Sequence, residues 1–187
     1  MSKFLLLLGP SGVGKSSIID ELYRVDSRFR YISPFTTREL RKGETNKVHI
    51  EEEQMDAMAE KGAFLTINQI YGIRYATPKD SVLEELRNEN FPIIDWPVNR
   101  MEVMHEAFPG QIYAVYILPP SKQILAERLR VDGRDTTGER LQKGVEELNA
   151  YENSEYEGLY DFAIISEDSQ LESVAKAIYQ KYIGSFN

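Results

Sequence analysis

The stretch "LLLLGPSGVGKSSI", Leu5 to Ile18, joins an apolar run to a glycine-rich turn and then to a segment with helical periodicity. The run from Phe4 to Leu8 is continuously apolar, as a strand covered on both faces of a parallel sheet requires. Beyond Lys15 the apolar residues recur on one face of a helix. The sequence therefore predicts a strand, a loop and a helix in this order.

The loop matches the pattern G-x-x-x-x-G-K-[ST] from Gly9 to Ser16. Glycines let backbone N–H groups turn toward a phosphate, and the following helix directs its positive end to the same place. In this pattern Lys15 reaches the β- and γ-phosphates, and the Ser16 hydroxyl binds Mg²⁺. We therefore predict ATP and Mg²⁺ as cofactors, with Ser16 as the metal ligand. The predicted nucleotide-binding residues are Gly9, Ser11, Gly12, Val13, Gly14, Lys15, Ser16 and Ser17.

The chain of 187 residues has the composition of one globular domain, with 42% hydrophobic residues and a formal net charge of −8. This charge repels nucleic acids and anionic membranes, so the expected partners are small nucleotides. Cysteine is absent, which excludes disulfides and thiolate metal sites. The N-terminal apolar run is too short for a signal peptide or a membrane span, and a cytoplasmic location is expected.

Three further apolar runs, each preceded by a segment with helical spacing, indicate crossover connections and an α/β fold with a parallel sheet. These runs cover residues 92–96, 112–118 and 162–165. Helices are expected near residues 52–61, 79–88, 122–130, 138–153 and 170–182, with Ser121 as the N-cap of the third. The less regular segment 33–77 is expected to form a smaller lobe over the sheet edge.

The segment "SPFTTRELRKGE", residues 33–44, places Arg38 and Arg41 three positions apart, a spacing that can direct two guanidinium groups to one phosphate. A phosphate-binding loop followed by T-T-R-x-x-R-x-G-E resembles the guanylate kinase family, whose members move a phosphoryl group from ATP to GMP. Four other segments resemble this family: "YGIRYATPKDSV", "FPIIDW", "YILPPSKQILAERL" and the arginine-rich lid "RLRVDGRDTTGERL". The resemblance runs from Phe4 to about Tyr182.

The resemblance implies a P-loop NTPase three-layer fold in a single domain, residues 1–187. The core would comprise residues 1–32, 79–130 and 154–187, with an NMP-binding lobe at 33–78 and a lid at about 131–153. The implied reaction moves the γ-phosphoryl group of Mg-ATP to GMP, dGMP or a related monophosphate. The implied substrate-binding residues are Arg38, Arg41, His49, Tyr75, Thr77 and Asp95, and the implied catalytic residues are Lys15, Arg128, Arg134 and Arg140. Arg130 is the alternative to Arg128 as the lid arginine. Arg130 keeps the family's spacing, whereas Arg128 keeps its Arg-Leu context.

The resemblance breaks where the family binds guanine. A serine, a glutamate and a second aspartate of the family are replaced here by Pro34, Thr66 and Pro97. Proline has no side-chain donor or acceptor, and threonine lacks the two-oxygen acceptor that the N1–H and amino group of guanine engage together. Three alternatives therefore stand beside a GMP kinase: a kinase for another nucleoside monophosphate or a sugar phosphate, a binding module without catalysis, and an NTPase switch.

Overall fold

The computed structural model describes residues 2–186, so Met1 and Asn187, the ends of the predicted domain, lie outside the described residues. The strands are β1 (Phe4–Leu8), β2 (Phe29–Tyr31), β3 (Phe35–Thr36), β4 (Val48–His49), β5 (Phe64–Ile70), β6 (Ile73–Pro78), β7 (Phe91–Asp95), β8 (Ile112–Leu118) and β9 (Phe162–Ile165). The helices are α1 (Lys15–Val25), α2 (Glu52–Glu60), α3 (Lys79–Arg87), α4 (Met101–Ala107), α5 (Lys122–Asp132), α6 (Glu139–Glu152) and α7 (Leu171–Gly184).

Five parallel strands form the central sheet in the order β2-β7-β1-β8-β9. All of β1 is buried, because it has a strand on either side and helices over both faces. Leu5 and Leu7 pack with residues of α1, α5 and α7, whereas Phe4, Leu6 and Leu8 pack with residues of α3 and α4. The loop after Leu8 consequently emerges at the carboxyl edge of the sheet, where ligands bind in open α/β folds.

A second sheet lies within residues 35–78 and has four strands in the order β4-β3-β6-β5. Its β5 and β6 form an antiparallel hairpin that turns at Tyr71 and Gly72, whose φ angles are 51° and 75°. The turn reaches α6, where the Lys143 ammonium lies 4.5 Å from the centre of the Tyr71 ring. This segment therefore contacts α6, which lies between β8 and β9 and is distant from it along the chain.

The parallel sheet flanked by helices confirms the predicted α/β class, and β8 and β9 have the predicted bounds. Ser121 is the N-cap of α5 as predicted, because its hydroxyl accepts a hydrogen bond from the Ile124 N–H at 3.2 Å. The sequence analysis missed β2, which has three residues, and α4, which has seven. Neither is long enough for its periodicity to stand out. Across residues 2–186, no helix combines the length and the apolar character needed to cross a membrane.

Candidate active site

The predicted phosphate-binding loop leaves β1 and enters α1. Gly9, Gly12 and Gly14 have φ angles of 115°, 89° and 100°, which side-chain-bearing residues rarely adopt. Gly14 precedes α1 without a side-chain cap, so the first N–H groups of the helix are not capped by a side chain. Uncapped N–H groups at the start of a helix bind anions, because they point toward the ligand and the helix dipole favours negative charge. The loop therefore fits a phosphate chain.

The Lys15 ammonium lies inside this loop. Its Nζ donates hydrogen bonds to the carbonyl oxygens of Gly9 at 2.5 Å and Pro10 at 3.0 Å. Burial lowers the pKa of Lys15, although the charges of Asp95 and Glu147 oppose the shift. A bound anion would stabilise this desolvated ammonium. Ser16, the next residue in the chain, is exposed and offers a hydroxyl. These residues fit a nucleotide together with a hard cation such as Mg²⁺.

Asp95 lies beside the loop because β7 pairs with β1 in parallel and places it opposite Leu7. Its exposed carboxylate accepts a hydrogen bond from the Tyr31 hydroxyl. The next residue, Trp96, is only 3% exposed, and its indole N–H donates to the Arg100 carbonyl at 3.0 Å. Trp96 is therefore a core residue and does not present its ring to a ligand.

Arg38 is the centre of a second polar cluster, formed by the four-stranded sheet and the loop after β3. Its guanidinium donates to both carboxylate oxygens of Glu44, at 2.6 and 2.8 Å, and to the Tyr75 hydroxyl at 3.3 Å. The His49 Nδ1 lies 2.9 Å from the Arg38 carbonyl. Thr77 is buried on the same strand as Tyr75. Four predicted substrate-binding residues thus lie in one region, with the carboxylate of Glu44 holding the guanidinium.

Glu44 was missed as a site residue, although the T-T-R-x-x-R-x-G-E segment contains it. Its carboxylate also accepts a hydrogen bond from the backbone N–H of Arg41 at 3.1 Å, so it fixes both arginines of the segment. The bond to Arg38 lowers the pKa of Glu44 to about 2.

Replacing Glu44 with glutamine is expected to destabilise the protein at neutral pH and to matter less in acid. The Arg38 guanidinium lowers the pKa of Glu44 from 4.5 to about 2. A depressed carboxyl pKa stabilises the fold above pH 4.5, and this stabilisation is lost as the pH falls toward 2. Below pH 4.5 the gap in unfolding free energy between the two proteins should narrow by about 1 kcal/mol per pH unit.

Urea denaturation of both proteins between neutral and acidic pH measures this gap. Glu60→Gln, at an exposed position of α2, is the control and should leave the pH dependence unchanged. A gap for Glu44→Gln that stays constant with pH contradicts the assigned ion pair.

Arg41 lies in the loop after β3 and Arg134 in the segment after α5, and the charge of Arg134 acts on Arg41. Desolvation is the largest cause of a lowered Arg41 pKa, and the positive charges of Arg134 and Arg38 lower it further. The positive charges of these three guanidinium groups act on one another, and a bound phosphate would neutralise them.

Asp132, at the end of α5, organises the predicted lid arginines. It accepts hydrogen bonds from Arg134 at 2.5 Å and from Arg140 at 2.6 Å. Arg140 also donates to the Ser11 hydroxyl of the phosphate-binding loop at 2.5 Å, so this arginine already contacts the predicted nucleotide site. The sequence analysis missed Asp132, because its partners are identified only by the fold.

Arg128 lies under the same loop and has a side chain that is 15% exposed. It donates to the carbonyls of Val13 at 3.2 Å and Ser166 at 2.8 Å, and to the Asp168 carboxylate at 2.9 Å. Arg130, the competing position, is exposed. The structure therefore brings Arg128 next to the nucleotide loop and leaves Arg130 at the surface.

The comparisons with known proteins include guanylate kinases that match nearly the whole chain. The sequence profile described as "Guanylate kinase" matches residues 1–183. A guanylate kinase of Carboxydothermus hydrogenoformans is 34% identical over 176 residues, which cover 90% of this chain and 83% of the relative. One from Caldanaerobacter subterraneus subsp. tengcongensis is 30% identical, with 88% of this chain and 79% of the relative covered. A guanylate kinase structure from Anaplasma phagocytophilum superposes with a TM-score of 0.75 at 20% identity, covering 98% of this chain and 85% of that one.

Proposed function

The chain belongs to the guanylate kinase family, and from this premise we propose that it transfers the γ-phosphoryl group of ATP to GMP or dGMP. It is a nucleoside-monophosphate kinase with the P-loop NTPase fold. The guanylate kinase relatives do not favour the retuned acceptor or the module without catalysis.

One observation carries the proposal: cationic side chains from the loop and from the region after α5 meet at the phosphate-binding loop. Lys15 lies in the loop and Arg140 contacts Ser11. The positive charge of Arg134 lowers the pKa of Arg41. Phosphoryl transfer needs the neutralisation of charge that spreads over the transferred group, and such a cluster supplies it without a covalent intermediate.

The residues divide between donor and acceptor in this proposal. The loop N–H groups and Lys15 hold the donor phosphates, Ser16 would hold Mg²⁺, and Arg128 supports the loop from below. Mg²⁺, when bound, neutralises phosphate oxygens and aligns them for transfer. Arg38, Arg41 and Tyr75 hold the acceptor phosphate, with His49 fixing the Arg38 backbone. Thr77 and Asp95 complete the acceptor side, and Arg134 and Arg140 stabilise the transferred group.

We assign the acceptor lobe to residues 33–78 and the lid to about 131–153, around a core of residues 1–32, 79–130 and 154–187. The contact between Tyr71 and Lys143 supports closure of lobe and lid over the cleft, which excludes water from the γ-phosphate. We infer a cytoplasmic location, with which the cysteine-free sequence is compatible, and no nucleic-acid partner, in agreement with the net charge of −8.

The test is ADP release from Mg-ATP in the presence of GMP, dGMP, AMP, CMP, UMP, dTMP and sugar phosphates. GMP and dGMP are expected to be the best acceptors, and omission of the acceptor should remove most ADP release. Arg41→Ala should raise the KM for GMP about tenfold or more and leave the KM for ATP nearly unchanged, because it acts on the acceptor phosphate. An acceptor outside the guanine nucleotides that is used more than about tenfold better than GMP overturns the proposal.

A further inference from the structure

One face of the four-stranded sheet carries a polar surface that continues from the Arg38 cluster. In the register of the hairpin, Thr66 lies opposite Thr77 and Asn68 lies opposite Tyr75. Side chains directly opposite in an antiparallel pair share a face, so these four residues point to the same side. Thr36 joins them because it lies opposite Tyr75 on the other flank. This polar face leads from the acceptor-phosphate residues toward the end of β7.

Asn68 is buried on this face without a partner for its side-chain oxygen. The residue is 7% exposed, and its Oδ1 forms no hydrogen bond. An unpaired buried acceptor is costly, so native structures retain one where a ligand or a function requires it. Its position next to Tyr75, which contacts Arg38, places it on the acceptor side of the cleft.

Arg100 reaches the same face from the turn that follows β7. Its Nη2 donates to the Thr66 hydroxyl at 3.2 Å. Its Nε is buried without a hydrogen bond, and the nearest carboxylate, that of Glu102, is 3.8 Å away. The bond from the Trp96 indole to the Arg100 carbonyl fixes the backbone that carries this guanidinium. A donor and an acceptor that form no hydrogen bond, Arg100 Nε and Asn68 Oδ1, therefore belong to the two residues next to Thr66 on this face.

Buried side-chain polar atoms without a hydrogen bond occur in two places in the described residues. In residues 2–186 the buried side-chain polar atoms without a hydrogen bond are Asn68 Oδ1, Arg100 Nε, Arg128 Nε and Ser166 Oγ. Arg128 and Ser166 adjoin the nucleotide loop, since Arg128 bonds to Val13 and a Cβ on Gly14 would lie 3.1 Å from Ser166 Oγ. Two of these atoms thus lie beside the nucleotide loop, and the other two lie on this polar face.

We propose that Asn68 and Arg100 are the residues that recognise the acceptor base, with Thr66 positioning Arg100. This inference rests on the proposed function and deepens it. Guanine presents O6 and N7 as acceptors and N1–H as a donor. The Arg100 guanidinium donates to the O6 and N7 edge, and Asn68 Oδ1 accepts from N1–H. These two residues replace the contacts that Pro34, Thr66 and Pro97 do not provide.

The pairing defines a substrate class, the monophosphates of 6-oxopurines. Hypoxanthine shares O6, N7 and N1–H with guanine and lacks only the 2-amino group. A single amide oxygen cannot engage N1–H and the 2-amino group as a carboxylate does, so GMP and IMP should be used with similar efficiency. Adenine has an amino donor in place of O6, which faces the Arg100 donor, so AMP should be rejected.

The experiment compares kcat/KM for GMP, IMP and AMP in wild type, Asn68→Ala, Arg100→Ala and Asn68→Asp. In wild type, GMP and IMP should lie within about tenfold of each other, and AMP should be at least about 100-fold poorer. Asn68→Ala and Arg100→Ala should each lower kcat/KM for GMP by about 10–100-fold through KM, with the KM for ATP unchanged. Asn68→Asp supplies a two-oxygen acceptor and should raise the preference for GMP over IMP by about tenfold.

Asn99→Ala, an exposed neighbour of Arg100, is the matched control and should behave as wild type. Circular dichroism verifies the fold of each variant. If an alanine variant does not fold, the increased preference of Asn68→Asp for GMP over IMP still tests the inference. Active wild type with unaffected Asn68→Ala and Arg100→Ala overturns this inference alone. Wild type that uses none of the nucleotides overturns the proposed function and this inference with it.

Discussion

Replacing Lys15 with alanine is expected to lower kcat for GMP phosphorylation by about 10²–10³-fold. The Lys15 ammonium is held inside the loop by the carbonyls of Gly9 and Pro10, and burial lowers its pKa. Charge fixed in a desolvated site stabilises a phosphoryl-transfer transition state more strongly than charge in water. The measurement is steady-state ADP release with saturating Mg-ATP and GMP.

Lys176→Ala is the control, because Lys176 is an exposed residue of α7 whose partner is Glu172 one helical turn away. It should retain full activity and almost full stability. Thermal unfolding of Lys15→Ala should stay close to that of wild type, which separates loss of chemistry from loss of fold. Activity within about threefold of wild type in Lys15→Ala contradicts the role of the loop.

Replacing Gly9 with alanine is expected to destabilise the protein by about 2–5 kcal/mol. A Cβ at this position would lie 2.3 Å from the Ile117 carbonyl oxygen, and that oxygen belongs to the central strand β8. The left-handed backbone costs about 1–2 kcal/mol for a residue with a side chain. The collision adds about 1–3 kcal/mol, because neither strand can move without disturbing the sheet. Chemical denaturation gives the loss in unfolding free energy.

Gly110→Ala provides the matched comparison. Gly110 also has a positive φ of 71°, and a Cβ there meets nothing within 4 Å. It should lose only the backbone contribution, about 1–2 kcal/mol. Equal losses of unfolding free energy in Gly9→Ala and Gly110→Ala would show that the close approach to β8 does not contribute to the destabilisation.

The fold was largely predictable because its signals are local. The continuous apolar run of β1, the glycine loop and the helical spacing of α1 stand next to each other in the chain. The short elements β2 and α4 were not predicted, since a strand of three residues and a helix of seven show too little periodicity. Their places are decided by neighbours in space: β2 pairs with β7, and α4 packs on the face of the central sheet that carries Phe4, Leu6 and Leu8.

The candidate site was predictable only where a motif fixes both residue and neighbour. Lys15 and Ser16 lie in one loop, so their placement follows from the pattern. Glu44 and Asp132 were missed because a surface carboxylate becomes an arginine partner only through folding. The polar face was missed for the same reason: strand register places Asn68 on the face of Thr66, and the turn after β7 brings Arg100 to Thr66.

The fate of the γ-phosphoryl group distinguishes a GMP kinase from an NTPase. Protein, Mg²⁺, ATP labelled at the γ-phosphate and GMP are incubated, and the nucleotides are separated by chromatography. We expect labelled GDP, formed in equal amount to ADP, with almost no labelled inorganic phosphate, and about 10²–10³-fold slower product formation by Lys15→Ala. Label that appears as inorganic phosphate and is independent of GMP would contradict a kinase and indicate an NTPase.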